Sequence, residues 1–246
     1  MRVFPALISL CFVTTVFAQS PLRLHGSTTV ESALEGKQEE LEAKIGRKIE
    51  FNATNTTAGL ASLVAGRADV AMLSSPLEEI AHRLNERTPG LIDMSQYRVA
   101  FVGQAKITFI VHPRNRARKL SGSQLADILT GRIKNWNVVG GADAPIMVVS
   151  LANAGGLVQN SFLRGAPITS DARLMPTATQ IPVIVAQEPN AIGIISTAHV
   201  KGPTSLVQTD VEIFVPLLLV TKGDPTAEEK TLIEAARKML NQSGRE

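Results

Sequence analysis

Three times in the first third of the chain a short apolar run ends in hydroxyl-bearing residues, and a helical pattern begins at once. The stretches are "LHGSTTVESAL" at 24–34, "FNATNTTAGLASLV" at 51–64 and "AMLSSPLEEIAHRL" at 71–84. Strands that alternate with helices in this way must pair in parallel, because each return to the same sheet edge needs a crossover. The fold class expected is therefore α/β with mostly parallel sheets.

Helix signals support that reading. Val30, Leu34, Leu41 and Ile45 keep one helical face, Thr28 and Glu31 have capping-box spacing, and Gly46 suits a C-terminal stop. Ser75 is read as the cap of the third helix after the hydroxyl turns, with Pro76 in its first turn and Glu78 three residues after the cap. A second region opens after "ITFIVHP". There Ser121 and Gln124 form another capping box with Leu120 and Leu125 as its staple, and Gly131 ends the helix. "IMVVSLANAGGLVQNSFLRG" is again strand, small-residue turn and helix, "IPVIVAQ" reads as helix or strand, and the chain closes with a strand and an amphipathic helix capped by Thr226 and Glu229.

The first turn of a helix exposes N–H groups with no internal partner and carries positive potential, so several such ends with serine and threonine beside them can hold an oxyanion without a metal or a nucleophile. Each turn alone is an ordinary helix cap. Their repetition at strand ends, where open α/β sheets place ligands, is what points to an anion cradle.

Other chemistries find little support. The four histidines are scattered without metal spacing, and no G-x-S-x-G, H-E-x-x-H or phosphate-loop pattern occurs. Asp69 reads as structural in preference to an acid or base, and Trp136 as a packing anchor. The sole cysteine, Cys11, lies in "ALISLCFVTTVF", which follows Arg2 and precedes the small-residue stretch "VFAQS"; residues 1–18 read as a secretory signal peptide cleaved after Ala18. The remaining chain, about 228 residues without a thiol, must rest on its apolar core, which rules out disulfide scaffolds and cysteine-held metals. Formal charge is only +3, with the single basic run "HPRNRARK" at 112–119 read as a solvated loop, so neither nucleic acid nor membrane insertion is expected. No cofactor is expected.

"HGSTTV", "AGRADVAMLSSPL", "LSGSQLADILTGRIKNWNVVGGADAPI", "EPNAIGIIST" and "PLLLVTKGDPT" stand in the order and approximate spacing of the phosphate-binding proteins that serve ABC importers, a family the chain resembles over nearly its whole mature length. The resemblance implies a two-lobed periplasmic-binding-protein fold, each lobe a mostly parallel sheet flanked by helices. Two crossover segments, near 108–113 and 192–198, would join a first lobe of residues 19–108 and 199–246 to a second of 109–198, with the C-terminal helix returning to the first. It further implies a non-enzymatic, periplasmic, monomeric protein that captures phosphate or a related oxyanion in the cleft, with an ABC importer permease as partner.

Carried over by position, Ser27 and Thr28 match the first ligand loop, Thr56 and Thr57 the second, Ser74 and Ser75 the third, and Asn153, Ala154 and Gly155 the fourth. The fourth departs from the family pattern of an arginine and a Gly-Ser-Gly-Thr turn: Ala152 stands near the arginine, Gly156 near the serine and Val158 near the threonine. Ser75 also replaces an acidic residue found in some members. Arg98, Lys106 and Arg164 are the basic residues considered as substitutes for the lost arginine. The departure leaves two alternatives beside transport: a sensor or interaction module on the same fold, and, less favoured for want of a nucleophile and base pair, a phosphate-ester hydrolase.

Overall fold

The structure is a computed structural model that describes residues 19–152, 158–159 and 162–243. The expected leader therefore lies outside the described residues.

The first strand-helix series forms as the hydrophobic pattern dictates. It comprises β1 (Leu22–Gly26), α1 (Thr28–Leu34), α2 (Gln38–Ile45), β2 (Ile49–Ala53), α3 (Thr56–Val64), β3 (Val70–Leu73) and α4 (Leu77–Arg87). Then comes β4 (Tyr97–Val111), a strand of 15 residues, followed by α5 (Gly122–Leu129), β5 (Met147–Leu151), β6 (Arg173–Met175), α6 (Gln180–Gln187), β7 (Ala191–Ser196), β8 (Ser205–Leu206), β9 (Ile213–Lys222) and α7 (Ala227–Ser243). β1 pairs in parallel with β2 and β3, and β5 pairs in parallel with β6 and β7. The antiparallel pairs all involve the two long strands: β9 with β3, β4 with β9, and β4 with β7 and β8.

Side chains on a strand alternate between faces, and this chain places apolar residues on both. Val70 and Met72 of β3, with Leu217 and Leu219 of β9, pack among Leu24, Leu34 and the α7 residues Leu232 and Ala236. The intervening Ala71 and Leu73, with Leu218 and Val220, pack on the other side among Leu60, Leu77 and Ile80. The second half repeats the plan. Phe109, Val111 and Ile192 join Leu125, Leu129 and Trp136, while Ile110, Val149 and Ile195 join Ile181 and Val185. The result is two helix–sheet–helix units, each with its own pair of cores, strung on one hydrogen-bonded path because β4 and β9 run through both. The α7 helix packs on the first unit.

Thr108–Val111 of β4 and Ile192–Ile195 of β7 run side by side. The apolar clusters change along the two long strands. Val207 and Ile213 still belong with Phe109 and Leu125, whereas Val102 and Leu217 belong with Leu24.

Several caps agree with the sequence and two do not. Ser121 and Gln124 exchange both bonds of a capping box, and Thr226 and Glu229 do the same at the start of α7. α1, however, is capped by Ser27, whose Oγ accepts from the Thr29 amide, so the Thr28–Glu31 box does not form. α4 starts after Pro76 with no side-chain cap, which frees Ser75 from the capping role expected of it. "IPVIVAQ" is helical, with Pro182 in the first turn where its missing N–H costs nothing. Trp136 is buried and donates from Nε1 to the Asn190 carbonyl. Asp69 ties β3 to β1: its carboxylate accepts from the Arg23 amide at 2.9 Å and from the guanidinium at 2.7 and 3.2 Å. Burial pushes that carboxyl up, but the Arg23 hydrogen bonds and charge prevail and hold it below the ordinary value. Among the described residues no helix is long and apolar enough to cross a membrane.

Two glycines set the spacing between β1 and α3. Gly26 has φ +140°, and a Cβ there would lie 2.2 Å from the Met72 carbonyl oxygen. A Cβ on Gly59 would lie 2.4 Å from the Gly26 Cα and 2.6 Å from the His25 oxygen. Gly59→Ala should therefore push α3 away from β1 and cost about 1–3 kcal/mol; a urea denaturation midpoint indistinguishable from that of the parent would show that the contact yields freely.

The acid limb of stability has a named contributor. Glu42 accepts from the Ile49 amide, Lys48 and Gln38, which together lower its carboxyl from 4.5 to about 2. A carboxyl depressed on folding adds stability above its unfolded value that disappears as pH falls through the folded one. The difference in melting temperature between the parent and Glu42→Gln should therefore shrink between pH 4.5 and about 2; a difference that stays constant over that window would dismiss the assignment.

Candidate functional site

β1, β2 and β3 end at the same edge, and the chain leaves each of them through hydroxyl residues. Ser27 donates its amide hydrogen to the Met72 carbonyl at 2.8 Å, and Thr54 donates to Gly26 at 2.8 Å, so the three turns are stitched by backbone before any side chain acts. A relay of hydroxyls follows. The Thr29 amide donates to Ser27 Oγ at 3.2 Å, Ser27 Oγ donates to Ser74 Oγ at 2.9 Å, and Ser74 Oγ lies 3.1 Å from Thr56 Oγ1. The Ser74 amide also donates to Thr56 Oγ1. Asn55 caps α3 by accepting from the Ala58 amide.

These groups line one side of a cavity of about 70 Å³. Ser27, Thr28, Thr56, Ser74 and Ser75 all face it, so five of the residues expected from sequence are brought together from three turns. Thr57, one position into α3, is not among the residues that line it. Asn153, Ala154 and Gly155, with Gly156, fall outside the described residues. The residues that sequence reasoning passed over are Thr29, Thr54, Asn55 and Ser196. Thr54 and Asn55 carried a signal, since they sit in the same polar turn as Thr56; Ser196 carried none, being one hydroxyl at the end of an apolar strand.

The opposite side belongs to the second unit and to the two long strands. Ile107, Leu151, Val158, Ile194, Ile195 and Val215 form it, with Pro176 and Ala178 at the edge. Ser196 is the polar exception: it is buried, and its Oγ has no hydrogen-bond partner. Among the described residues that line the cavity none is charged. The candidates for a substitute arginine are all elsewhere. Arg98 pairs with Asp224, Lys106 pairs with Glu212, and Arg164 is exposed in a turn with φ +52°. Ala152 is exposed, its amide donating to the Met175 carbonyl.

Chemically, the arrangement offers rotatable O–H donors on one side of the cavity. Each hydroxyl carries one donor and two acceptor sites, and these hydrogens, engaged with one another, can turn to a ligand oxygen at little net cost. Among the described residues no group of His, Asp and Glu is placed to hold a metal ion. His199, buried beside this site, makes one bond to Ser32 Oγ at 2.9 Å, and burial lowers its pKa, aided by nearby Lys201 and opposed by the Thr28 carbonyl.

The family described as a PBP superfamily domain is matched by residues 14–239. The phosphate-binding protein PstS of Bacillus subtilis is 25% identical over 191 residues, 74% of this chain and 59% of that protein, so the chain spans about three fifths of that relative's length. Among solved structures, a putative phosphate ABC transporter substrate-binding protein with bound phosphate from Clostridium perfringens superposes with TM-score 0.75 at 26% identity, covering 91% of this chain and 97% of that one. An ABC-type phosphate transport receptor from Vibrio cholerae shares the fold, with TM-score 0.62 at 20% identity over 91% of this chain and 96% of that one.

Ser74 is the hinge of the hydroxyl relay, and it generates a direct test. Ser74→Ala should leave Ser27 and Thr56, both buried, short of a partner and lower stability by about 1–3 kcal/mol. An unchanged chemical denaturation curve would mean that the two hydroxyls find other partners without loss.

Proposed function

The chain belongs to the PBP superfamily, and from that premise we propose that it is an exported, non-catalytic solute-binding protein that captures phosphate or a related oxyanion between its lobes and hands it to the permease of an ABC importer. The observation that supports this reading most is the convergence of Ser27, Thr28, Thr56, Ser74 and Ser75, from three separate turns, on one cavity. Hydroxyls and first-turn amides at strand ends are the donors an oxyanion needs. The C. perfringens neighbour, similar over nearly its entire length, is described with phosphate bound.

The proposed contacts are those five residues, together with Thr57 through its first-turn amide and Asn153, Ala154 and Gly155 from the fourth loop. In the proposed division, residues 19–108 and 199–246 make the first lobe and 109–198 the second. The packing of Val207 and Ile213 with Phe109 favours moving the return crossing to Ile213–Leu217. A periplasmic location after removal of residues 1–18, a monomeric state and freedom from nucleic acid and membrane complete the reading.

Calorimetric titration of the purified, phosphate-stripped protein with inorganic phosphate tests it. Binding should be saturable at one site per chain. Ser27→Ala should weaken it roughly tenfold to a hundredfold, the loss of one hydrogen bond to a charged group. An affinity unchanged by that substitution would reduce Ser27 to a helix cap.

A further inference from the structure

Ser196 carries a hydroxyl that the fold holds in place and then leaves unused. It is the last residue of β7, 4% exposed, and its Oγ has no hydrogen-bond partner. Its backbone is fixed from two directions: Ser196 pairs with Ile107 of β4, and the next residue, Thr197, donates from Oγ1 to the Lys106 carbonyl at 3.0 Å. A buried hydroxyl without a partner has given up its hydrogen bonds to water and gained none in return, so such groups are rare and call for a cause. Ser196 lines the same cavity as the hydroxyl relay, and it does so from the second unit. Ser150 provides the contrast. It lies in the neighbouring strand β5, fully buried, and its Oγ also has no partner, yet it is not among the residues that line the cavity.

Resting on the reading of the site as an oxyanion cradle, we infer that Ser196 is a further ligand-binding residue, whose hydroxyl donates to an oxygen of the bound anion from the side opposite Ser27, Thr56 and Ser74. A tetrahedral anion presents oxygens in several directions, so one accepts from the relay while another accepts from Ser196. A neutral hydroxyl against an anionic oxygen makes the stronger, charge-assisted kind of hydrogen bond. Such a ligand joins the turns after β1, β2 and β3 to the end of β7. Because β7 is paired with both β4 and β5, one small molecule then links the two units. The contact is additional to those of the turn after Leu151 and does not depend on them. It also gives the hydroxyl a use: the free energy lost by burying it unpartnered is recovered when a ligand oxygen accepts its hydrogen, so the cost falls on the ligand-free protein alone.

The experiment pairs two measurements on the parent, Ser196→Ala and Ser150→Ala: the affinity for inorganic phosphate, by calorimetric titration of the phosphate-stripped protein, and thermal melting without phosphate. Ser196→Ala should weaken phosphate about tenfold, the loss of one charge-assisted hydrogen bond. The same variant, free of ligand, should melt at the parent's temperature or above it, because the substitution removes a polar group that had no partner. Ser150→Ala should behave alike in melting and leave the affinity unchanged. The opposed signs at Ser196 separate a ligand contact from a structural hydroxyl, whose removal would lower affinity and melting temperature together. A Ser196→Ala protein that melts below the parent or fails to fold therefore overturns the inference. Equal losses of affinity at Ser150 and Ser196 overturn it as well, by tracing the effect to strand packing. An affinity at Ser196→Ala equal to the parent's also overturns it and leaves the phosphate reading standing, whereas a parent protein that does not bind phosphate overturns both.

Discussion

The pairing of β4 with β9 is the constraint on which the other elements depend. Tyr97–Ile107 and Ile213–Lys222 lie antiparallel, with one register shift between Phe101 and Gly103. On the far side of β9 is β3, and through it the parallel strands β1 and β2. On the far side of β4 is β7, and through it β5 and β6. Each of the four apolar clusters draws residues from β4, β9 or a strand that leans on them. The cavity takes its floor from the same place, since Ile107 and Val215 belong to these two strands and join the hydroxyl side to the apolar side.

Much of this was legible in the residues. Val70–Leu73 and Ala191–Ser196 are uniformly buried, as apolar runs without alternation lead one to expect for strands covered on both faces. The hydroxyl turns at Ser27, Thr56 and Ser74 were legible because glycine, asparagine or paired serines interrupt the apolar pattern there. The cap of α1 was misassigned by one position because Ser27, Thr28 and Thr29 are chemically equivalent caps, and only the exit angle of the chain after Gly26 selects among them. The exact place where the chain passes between units was not legible, since a continuous β pattern over 15 residues in β4 carries no mark where its neighbours change. Ser196 was invisible for a different reason. Its importance lies in an unpartnered hydroxyl, which is a property of surroundings and not of sequence.

Electrostatically the described cavity is quiet while its surroundings are not. The ion pairs Arg98–Asp224, Lys106–Glu212 and Arg47–Glu228 lie away from it, each cation already matched by a carboxylate. Recognition by the described lining therefore falls to dipoles and shape. Neutral donors discriminate by direction and by what is left unsatisfied, so the position of each hydroxyl matters more than the field of the protein as a whole.

The order in which the strands lie has a consequence for how the chain reaches this state. Met72 pairs with Leu219, and the core around Leu24 and Val30 is closed by Leu232, Ala236 and Met239 from the final helix. The amino-terminal unit is thus finished by residues roughly two hundred positions further along the chain. Contacts so distant along the chain make loop closure a slow, entropically costly step. Until β9 and α7 arrive, β3 keeps an unpaired edge and one face of the first sheet stays open to solvent. A chain arrested short of Leu217 remains without a closed core at its amino-terminal end, however long it waits.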